Sequence, residues 1–565
     1  MGSQPHRILL LVLLLTAMLN VVPMAGEFWM DTYDGETHLF FADHYRRGWW
    51  DAWEEKWLQG FWVYSYPPLV HQVIALTAKV GGLETGYRAV QMLAIVAYPL
   101  GAWLLSREIH GPEAADPAAL LTVAPAGVYL ALYSFGQLPT IVGLVLMLFA
   151  LTMLARYLRD GHFIQLLAWG CLAGAAFGAH HFTAIFALAP AAAGVALHTV
   201  IARRDQPPRS TLTRLTMAGL AFGAAAIMAI IPFWWWSLTQ RGAVAEIPHP
   251  TRLPFLQIPE FRDLFFFRTY GISALFLPFA LLWFLRGRTR WPLAVVMAGW
   301  IVLGLGGHTG VPRLILGGLW TYLVYDRFAL MAAVFSPLAA GDWLAAAGPR
   351  LRRIALVGVL VPAVLISAGA AAYTRNKGLL PPLQAWERVE MRRFLEAENH
   401  ADWYYLTLGL GDNEFQHLSR MTSARTIDGY YTTARRRQEL RESGIGSFDA
   451  TLYFSGGQAA LRSVLEHPAA WSLKWALVRD ARYEPLFEES GWRKAYPLGS
   501  DASWRPGDPV HSTVMIWYVP DPIPVIAEVA PAVPTLLPWL WGLVPLTLLA
   551  AGIGLFLYAP RQPPP

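Results

Sequence analysis

Apolar residues in this chain gather in long unbroken runs, near the roughly 20 residues that carry a helix across a bilayer. Such runs lie near 8–26, 85–105, 118–134, 138–158, 163–180, 182–201, 214–238, 270–285, 291–308, 328–346, 354–372 and 534–558, which predicts about twelve transmembrane helices. The stretch from Leu69 to Leu83 is shorter and carries His71 and Lys79, so it reads as an interfacial or re-entrant helix. Just before it, Trp49, Trp53 and Trp57 recur every four residues while Asp51, Glu54, Glu55 and Lys56 take other faces, a spacing that predicts an amphipathic helix lying on the membrane.

The pattern changes between residues 373 and 530. Charges become frequent, and Trp403 to Leu410, Lys474 to Val478 and Val514 to Val519 read as strands, with a helix around Tyr483 to Ser490. The expected architecture is a polytopic α-helical membrane protein. It comprises a membrane module over 1–372 with a first external loop at 27–84, an extracytoplasmic α/β domain over 373–530, and a final helix with a short cytoplasmic tail over 531–565.

Charge fixes the expected orientation. With Arg7 and the N-terminus in the cytoplasm, every second connection carries arginine: Arg107, then Arg156 and Arg159, Arg203 and Arg204, Arg286 and Arg288, Arg350 and Arg352, and Arg561. Counting Leu69 to Leu83 as a span would move these arginines outside. Ile8 to Leu19, followed by Ala25 and Gly26, also fits a cleavable signal peptide, but the apolar run continues to Val22 and favours a retained span in the plasma membrane. With 55% hydrophobic and 15% charged residues, the net charge of +5 reflects these loop arginines rather than a nucleic-acid surface. The single cysteine, Cys171, lies in an apolar run and can form no intrachain disulfide.

On this topology the outer face collects the polar residues that can carry chemistry. Asp31, Asp34, Glu36, His38, Asp43 and His44 follow the first span, and His180 and His181 sit at a later outer turn. Other outer loops bring Gln137, His249, Glu260, Arg262, Arg268, His308, Arg313, Asp326 and Arg327. The interiors of the runs carry almost no ionisable side chains, which favours chemistry at the outer face over ion-coupled transport. Glycines 304, 306 and 307 and the Ser455-Gly456-Gly457 turn lack the lysine of a phosphate loop, and Trp234, Trp235 and Trp236 read as an interfacial aromatic belt.

The segment Asp31-Thr32-Tyr33-Asp34-Gly35-Glu36-Thr37-His38 after the first span, and Tyr66-Pro67-Pro68-Leu69 in an external loop, resemble the integral-membrane glycosyltransferases of the C superfamily (GT-C). Within it, the chain resembles the bacterial and archaeal membrane proteins related by name to 6-pyruvoyl-tetrahydropterin synthase; no pterin chemistry follows from that name. The resemblance implies a polyprenyl-phosphate-linked sugar as donor and transfer to an extracytoplasmic glycan, lipid or protein acceptor. Such a transfer needs a carboxylate base for the acceptor hydroxyl and a cation for the departing lipid phosphate. Asp34 is the first choice for the base, because Gly35 permits a tight turn beside it, and Asp31 is the second; a helix-capping role is the competing reading of both. Glu36, His38, His180, His181, Arg268, Arg313 and Arg327 are candidate substrate contacts, with Arg313 and Arg327 at headgroup depth. No cofactor is certain and no spacing decides on a divalent metal, for which Asp34, His38 and one of His180 or His181 would be the ligands. The competing functions are a lipid or polysaccharide translocase without catalysis, and a scaffold whose external domain binds a partner.

Overall fold

A computed structural model describes residues 6–203, 207–239, 268–306, 310–348 and 383–560 apart from 502, 506, 509, 511, 528 and 529, with a few further positions between 350 and 365. Most of the expected run at 354–372 lies outside the described residues, as do His249, Glu260, Arg262, His308, Arg204, Arg352 and Arg561.

Six described helices are long and apolar enough to cross a membrane: Leu83–Ile109, Leu138–Asp160, His181–Ala202, Arg209–Met228, Asp326–Ala346 and Leu536–Tyr558. The run at 118–134 is a pair, Pro112–Leu121 and Ala126–Tyr133, bent by 47°. Pro125 explains the break, since it has no N–H to donate and pushes the residue before it away from helical geometry. The runs at 8–26, 163–180, 270–285 and 291–308 form shorter apolar helices, Arg7–Val21, Phe163–Ala179, Ser273–Arg286 and Trp291–Gly304. At 1.5 Å per residue, the last two, of 14 residues each, reach about 21 Å and fall short of a 30 Å hydrocarbon layer. Twelve full crossings therefore exceed what the described helices supply, but the multi-pass helical membrane architecture stands.

The tryptophan-rich segment departs from its pattern. No helix forms over Trp49 to Trp57; instead β1 (Trp53–Glu54) pairs antiparallel with β2 (Phe61–Trp62), and Leu58 and Gln59 take left-handed backbone angles between them. The three indoles go to different places. Trp49 donates to the Gly542 carbonyl on the last helix at 3.2 Å, Trp53 lies under Arg436, and Trp57 stacks on Phe40 with centroids 3.7 Å apart. Burial of each ring against its own partner outweighs the helical spacing. The helices of this loop are Gly35–Arg47 and Leu69–Gly81, both with many buried residues.

The C-terminal α/β domain carries a four-stranded sheet in the order β3-β4-β6-β5, where β3 is Tyr404–Leu408, β4 Leu473–Val478, β5 Arg493–Pro497 and β6 Met515–Tyr518. β3 and β4 run parallel, and the other two pairs are antiparallel. Its core is shared: Phe40, Phe41, Trp57 and Phe61 of the first loop pack with Leu406, Leu461 and Trp517. The loop that bears the acidic cluster is thus built into the α/β domain.

Candidate active site

The acidic segment is held by its backbone. A short 3-10 helix, Phe28–Asp31, leads into Thr32, whose hydroxyl donates to the Trp29 carbonyl at 2.8 Å and accepts from the Gly35 N–H at 3.0 Å. The N–H groups of Tyr33 and Asp34 donate to the carbonyls of Ser134 and Phe135 at 3.1 and 3.0 Å, splicing this loop to the one after the bent span. The two strips meet at glycines: a Cβ on Gly35 would lie 2.6 Å from the Trp29 carbonyl oxygen, and one on Gly136 would lie 2.7 Å from the Gly35 nitrogen. Gly35 therefore does serve a close approach, of backbone to backbone.

Asp34 stands at the N-terminus of helix Gly35–Arg47 but makes no side-chain cap bond; the His38 N–H donates to its backbone carbonyl at 3.0 Å. Burial pushes the Asp34 carboxyl up to about 6, the Arg327 guanidinium opposes that rise, and the Asp326 carboxylate adds to it. These two residues open the Asp326–Ala346 helix, almost three hundred positions along the chain from Asp34 by sequence number.

Arg327 is the hub. Its Nη1 lies 3.5 Å from His180 Nε2, its guanidinium sits 5.4 Å from the Phe182 ring centroid, and its charge acts on Asp34, His38 and Tyr66. His180 Nδ1 lies 2.7 Å from the Thr183 hydroxyl, so a neutral ring donating there offers its Nε2 lone pair to the arginine. The Arg327 Nε and the Asp326 Oδ1 are buried without a hydrogen-bond partner among the described residues. Both residues line a narrow cleft of about 270 Å³ with Phe135, Gln137, Thr269 and Leu330. An unpaired guanidinium nitrogen beside an acidic group in a cleft can take a planar anionic oxygen pair.

The remaining candidates separate. His38 is buried with its Nδ1 3.0 Å from His71 Nε2, and burial followed by the Arg327 charge pulls it down to about 3, which keeps the ring neutral. Tyr66, from the Tyr66-Pro67-Pro68-Leu69 segment, packs among Phe41, His71 and Tyr431, and burial pushes its hydroxyl up, with Asp34 adding to that rise. Glu36 is committed elsewhere: it accepts from Arg420 Nε at 2.9 Å and faces His417 Nδ1 at 3.0 Å, both on helix Asp412–Met421 of the α/β domain. Burial alone would raise its carboxyl, yet Arg420 and His417 hold it below the ordinary value. Asp31 is exposed at the end of its 3-10 turn. His181 diverges from His180, its ring lying 4.6 Å from Phe233. Arg268 directly precedes the cleft residue Thr269, while Arg313 is exposed and borders a separate open cavity of about 820 Å³ with Trp320. Among the described residues, no three His, Cys, Asp or Glu side chains converge as a metal-ligand set.

Sequence reasoning misses His71, Asn413, His417 and Arg420 as neighbours of the acidic loop. His71 carries a local signal, a histidine inside an apolar helix, whereas the other three look like ordinary polar positions on an amphipathic domain helix.

The dolichyl-phosphate-mannose-protein mannosyltransferase family matches residues 65–236 of the chain. No curated protein sequence matches it. Among solved structures, the Archaeoglobus fulgidus oligosaccharyltransferase in complex with Zn and sulfate superposes with a TM-score of 0.53 at 13% identity, covering 87% of this chain and 72% of that one. The arabinofuranosyltransferase AftD from Mycobacteria gives 0.51 at 16% identity over 92% of this chain and 40% of its own greater length. ArnT from Cupriavidus metallidurans, bound to undecaprenyl phosphate, gives 0.50 at 12% identity over 90% and 97%. At these identities the likeness is one of fold, and it spans membrane helices and α/β domain together. The chain is a multi-pass membrane protein with the fold of the oligosaccharyltransferase, AftD and ArnT structures.

Proposed function

We propose that the chain is a glycosyltransferase that moves a sugar from a polyprenyl-phosphate donor to an acceptor hydroxyl or amide on the extracytoplasmic side of the plasma membrane, with the N-terminus in the cytoplasm. The observation that carries this reading is the placement of Arg327 in the cleft, 3.5 Å from His180 and near enough for its charge to act on the carboxyl of Asp34 and the hydroxyl of Tyr66. Support comes from the family match over residues 65–236 and from the solved relatives, of which ArnT is bound to undecaprenyl phosphate and the Archaeoglobus fulgidus enzyme AglB to a dolichol-phosphate and an inhibitory peptide. The membrane module over 1–372 would present the donor and the domain over 373–530 would border the acceptor.

In this reading Asp34, ionised, takes the proton of the acceptor as its heteroatom attacks the anomeric carbon. The bond from that carbon to the phosphate oxygen breaks, and the polyprenyl phosphate leaves with the electron pair. Arg327 receives the phosphate oxygens through its unpaired Nε and its Nη groups, with His180 fixing its direction. Asp31 is the alternative base, and Arg268, Arg313 and His181 would guide the donor at the rim. If a divalent cation takes part, Asp34 and Asp326, whose like charges act on each other, would be the carboxylates to hold it, and its chemistry would be to neutralise the departing phosphate. The test is sugar transfer by the purified protein in proteoliposomes with a synthetic polyprenyl-phosphate sugar. Asp34→Asn should lower the rate by roughly two to four orders of magnitude while the protein still inserts. Undiminished transfer would remove Asp34 as the base.

A further inference from the structure

We propose that helix Asp412–Met421 of the α/β domain is a positioning element for Asp34, acting through Asn413 and Arg420. The inference rests on Asp34 being the base, and it adds what sets the base in place. Asn413, Gln416, His417 and Arg420 are spaced by three, four and seven residues, so they share one face of that helix. Every one of them grips the acidic segment. The Asn413 Nδ2 donates to the carbonyls of Met30 at 2.8 Å and Thr32 at 2.6 Å, the two ends of the turn that leads to Asp34. The Gln416 Oε1 accepts from the Thr37 hydroxyl at 2.5 Å. His417 and Arg420 take both oxygens of Glu36, and Arg420 Nη1 also reaches Glu84 at 2.9 Å, at the start of the Leu83–Ile109 span.

These contacts bracket Asp34 on both sides in sequence, at 30 and 32 before it and at 36 and 37 after it, without touching its carboxyl. Residues placed this way determine where the carboxylate sits relative to Arg327. A base displaced by about 1 Å loses much of its effect, because proton transfer needs hydrogen-bond reach to the attacking atom. Binding of the donor phosphate, which falls to Arg327 on the Asp326–Ala346 helix, does not depend on these bonds.

Asn413→Leu removes both donated bonds at nearly constant volume and adds no charge. Its expected effect is a fall in kcat of roughly ten- to a hundredfold with donor KM within about threefold, together with faster hydrogen exchange at the Tyr33 and Asp34 amides. Arg420→Lys, which keeps the charge but loses the fork that spans Glu36 and Glu84, should produce the same split more weakly. Asn413→Ala serves as the milder variant if the leucine form does not elute as folded protein. Full kcat in a folded Asn413 variant, in a protein that Asp34→Asn inactivates, would overturn the positioning role and leave the base assignment intact. If Asp34→Asn retains transfer, the reading of the base fails instead. Unchanged exchange at residues 33 and 34 in the folded variants would overturn the grip itself.

Discussion

Asp34→Asn should stabilise the protein at the pH where it abolishes transfer. The carboxyl is raised from 3.8 to about 6, mainly by burial, so the folded protein holds the Asp34 proton more tightly than the unfolded chain does. The sign follows: above pH 6 the folded state carries the full cost of an ionised Asp34, and that cost is relieved as pH falls from about 6 towards 4. At about 1.4 kcal/mol per pH unit the cost is at most about 3 kcal/mol, and about 1–3 kcal/mol once local relaxation and water penetration around the buried carboxylate are allowed for. Asparagine has nearly the same shape and no charge, so at pH 8 the variant gains that amount. For a chain of 565 residues, 1 kcal/mol moves the melting temperature by roughly 1 °C, giving a rise of about 1–3 °C. The 25 tryptophans make intrinsic-fluorescence scanning in one detergent a direct assay. At pH 5 most of Asp34 is protonated in the folded wild type and the gain should shrink to about half. An equal gain at both pH values, or none at pH 8, would refute the account of Asp34 as a carboxylate kept ionised against its surroundings, a cost that functional sites commonly carry.

Two other predictions use the same cleft and the membrane arrangement. Arg327→Lys should weaken binding of a polyprenyl phosphate roughly tenfold with the melting temperature almost unchanged, because the ammonium keeps the charge and loses the fork; equal affinity measured in nanodiscs would reassign the phosphate to Arg268 or Arg313. In a Cys171→Ala background, a cysteine at Glu442 should react with an impermeant maleimide from outside and one at Arg288 should not. Labelling at Arg288 with protection at Glu442 would reverse the assigned topology and place the α/β domain in the wrong compartment for the proposed acceptor.

Features that a sequence encodes locally are legible in it. Apolar runs and alternating strands need only neighbouring residues, so the membrane helices and the strands at β3, β4 and β6 are readable in advance, and so is the acidic cluster. Helix ends inside a membrane depend on what packs around them, which is why the runs at 270–285 and 291–308 look longer than the helices they form. Trp49, Trp53 and Trp57 show the same limit, since their spacing fits a helix while their ring partners lie on the last span, near Arg436 and in the α/β core. Glu36 sits beside Asp34 in sequence and looks equivalent, yet Arg420 decides its role from 384 positions away. What distinguishes the candidate base from its acidic neighbours is the reach of the Arg327 charge to Asp34, and such proximity is a property of the folded chain.

The face made by Asn413, Gln416, His417 and Arg420 bears on how such proteins can diverge and be recombined. A domain swap that replaces residues 373–530 with those of a relative would exchange part of the catalytic apparatus, even though Asp34 itself stays with the recipient. Chimeras should then regain activity only when the segment from Met30 to Thr37 travels with the domain that grips it, and aligned relatives should change at the two places together.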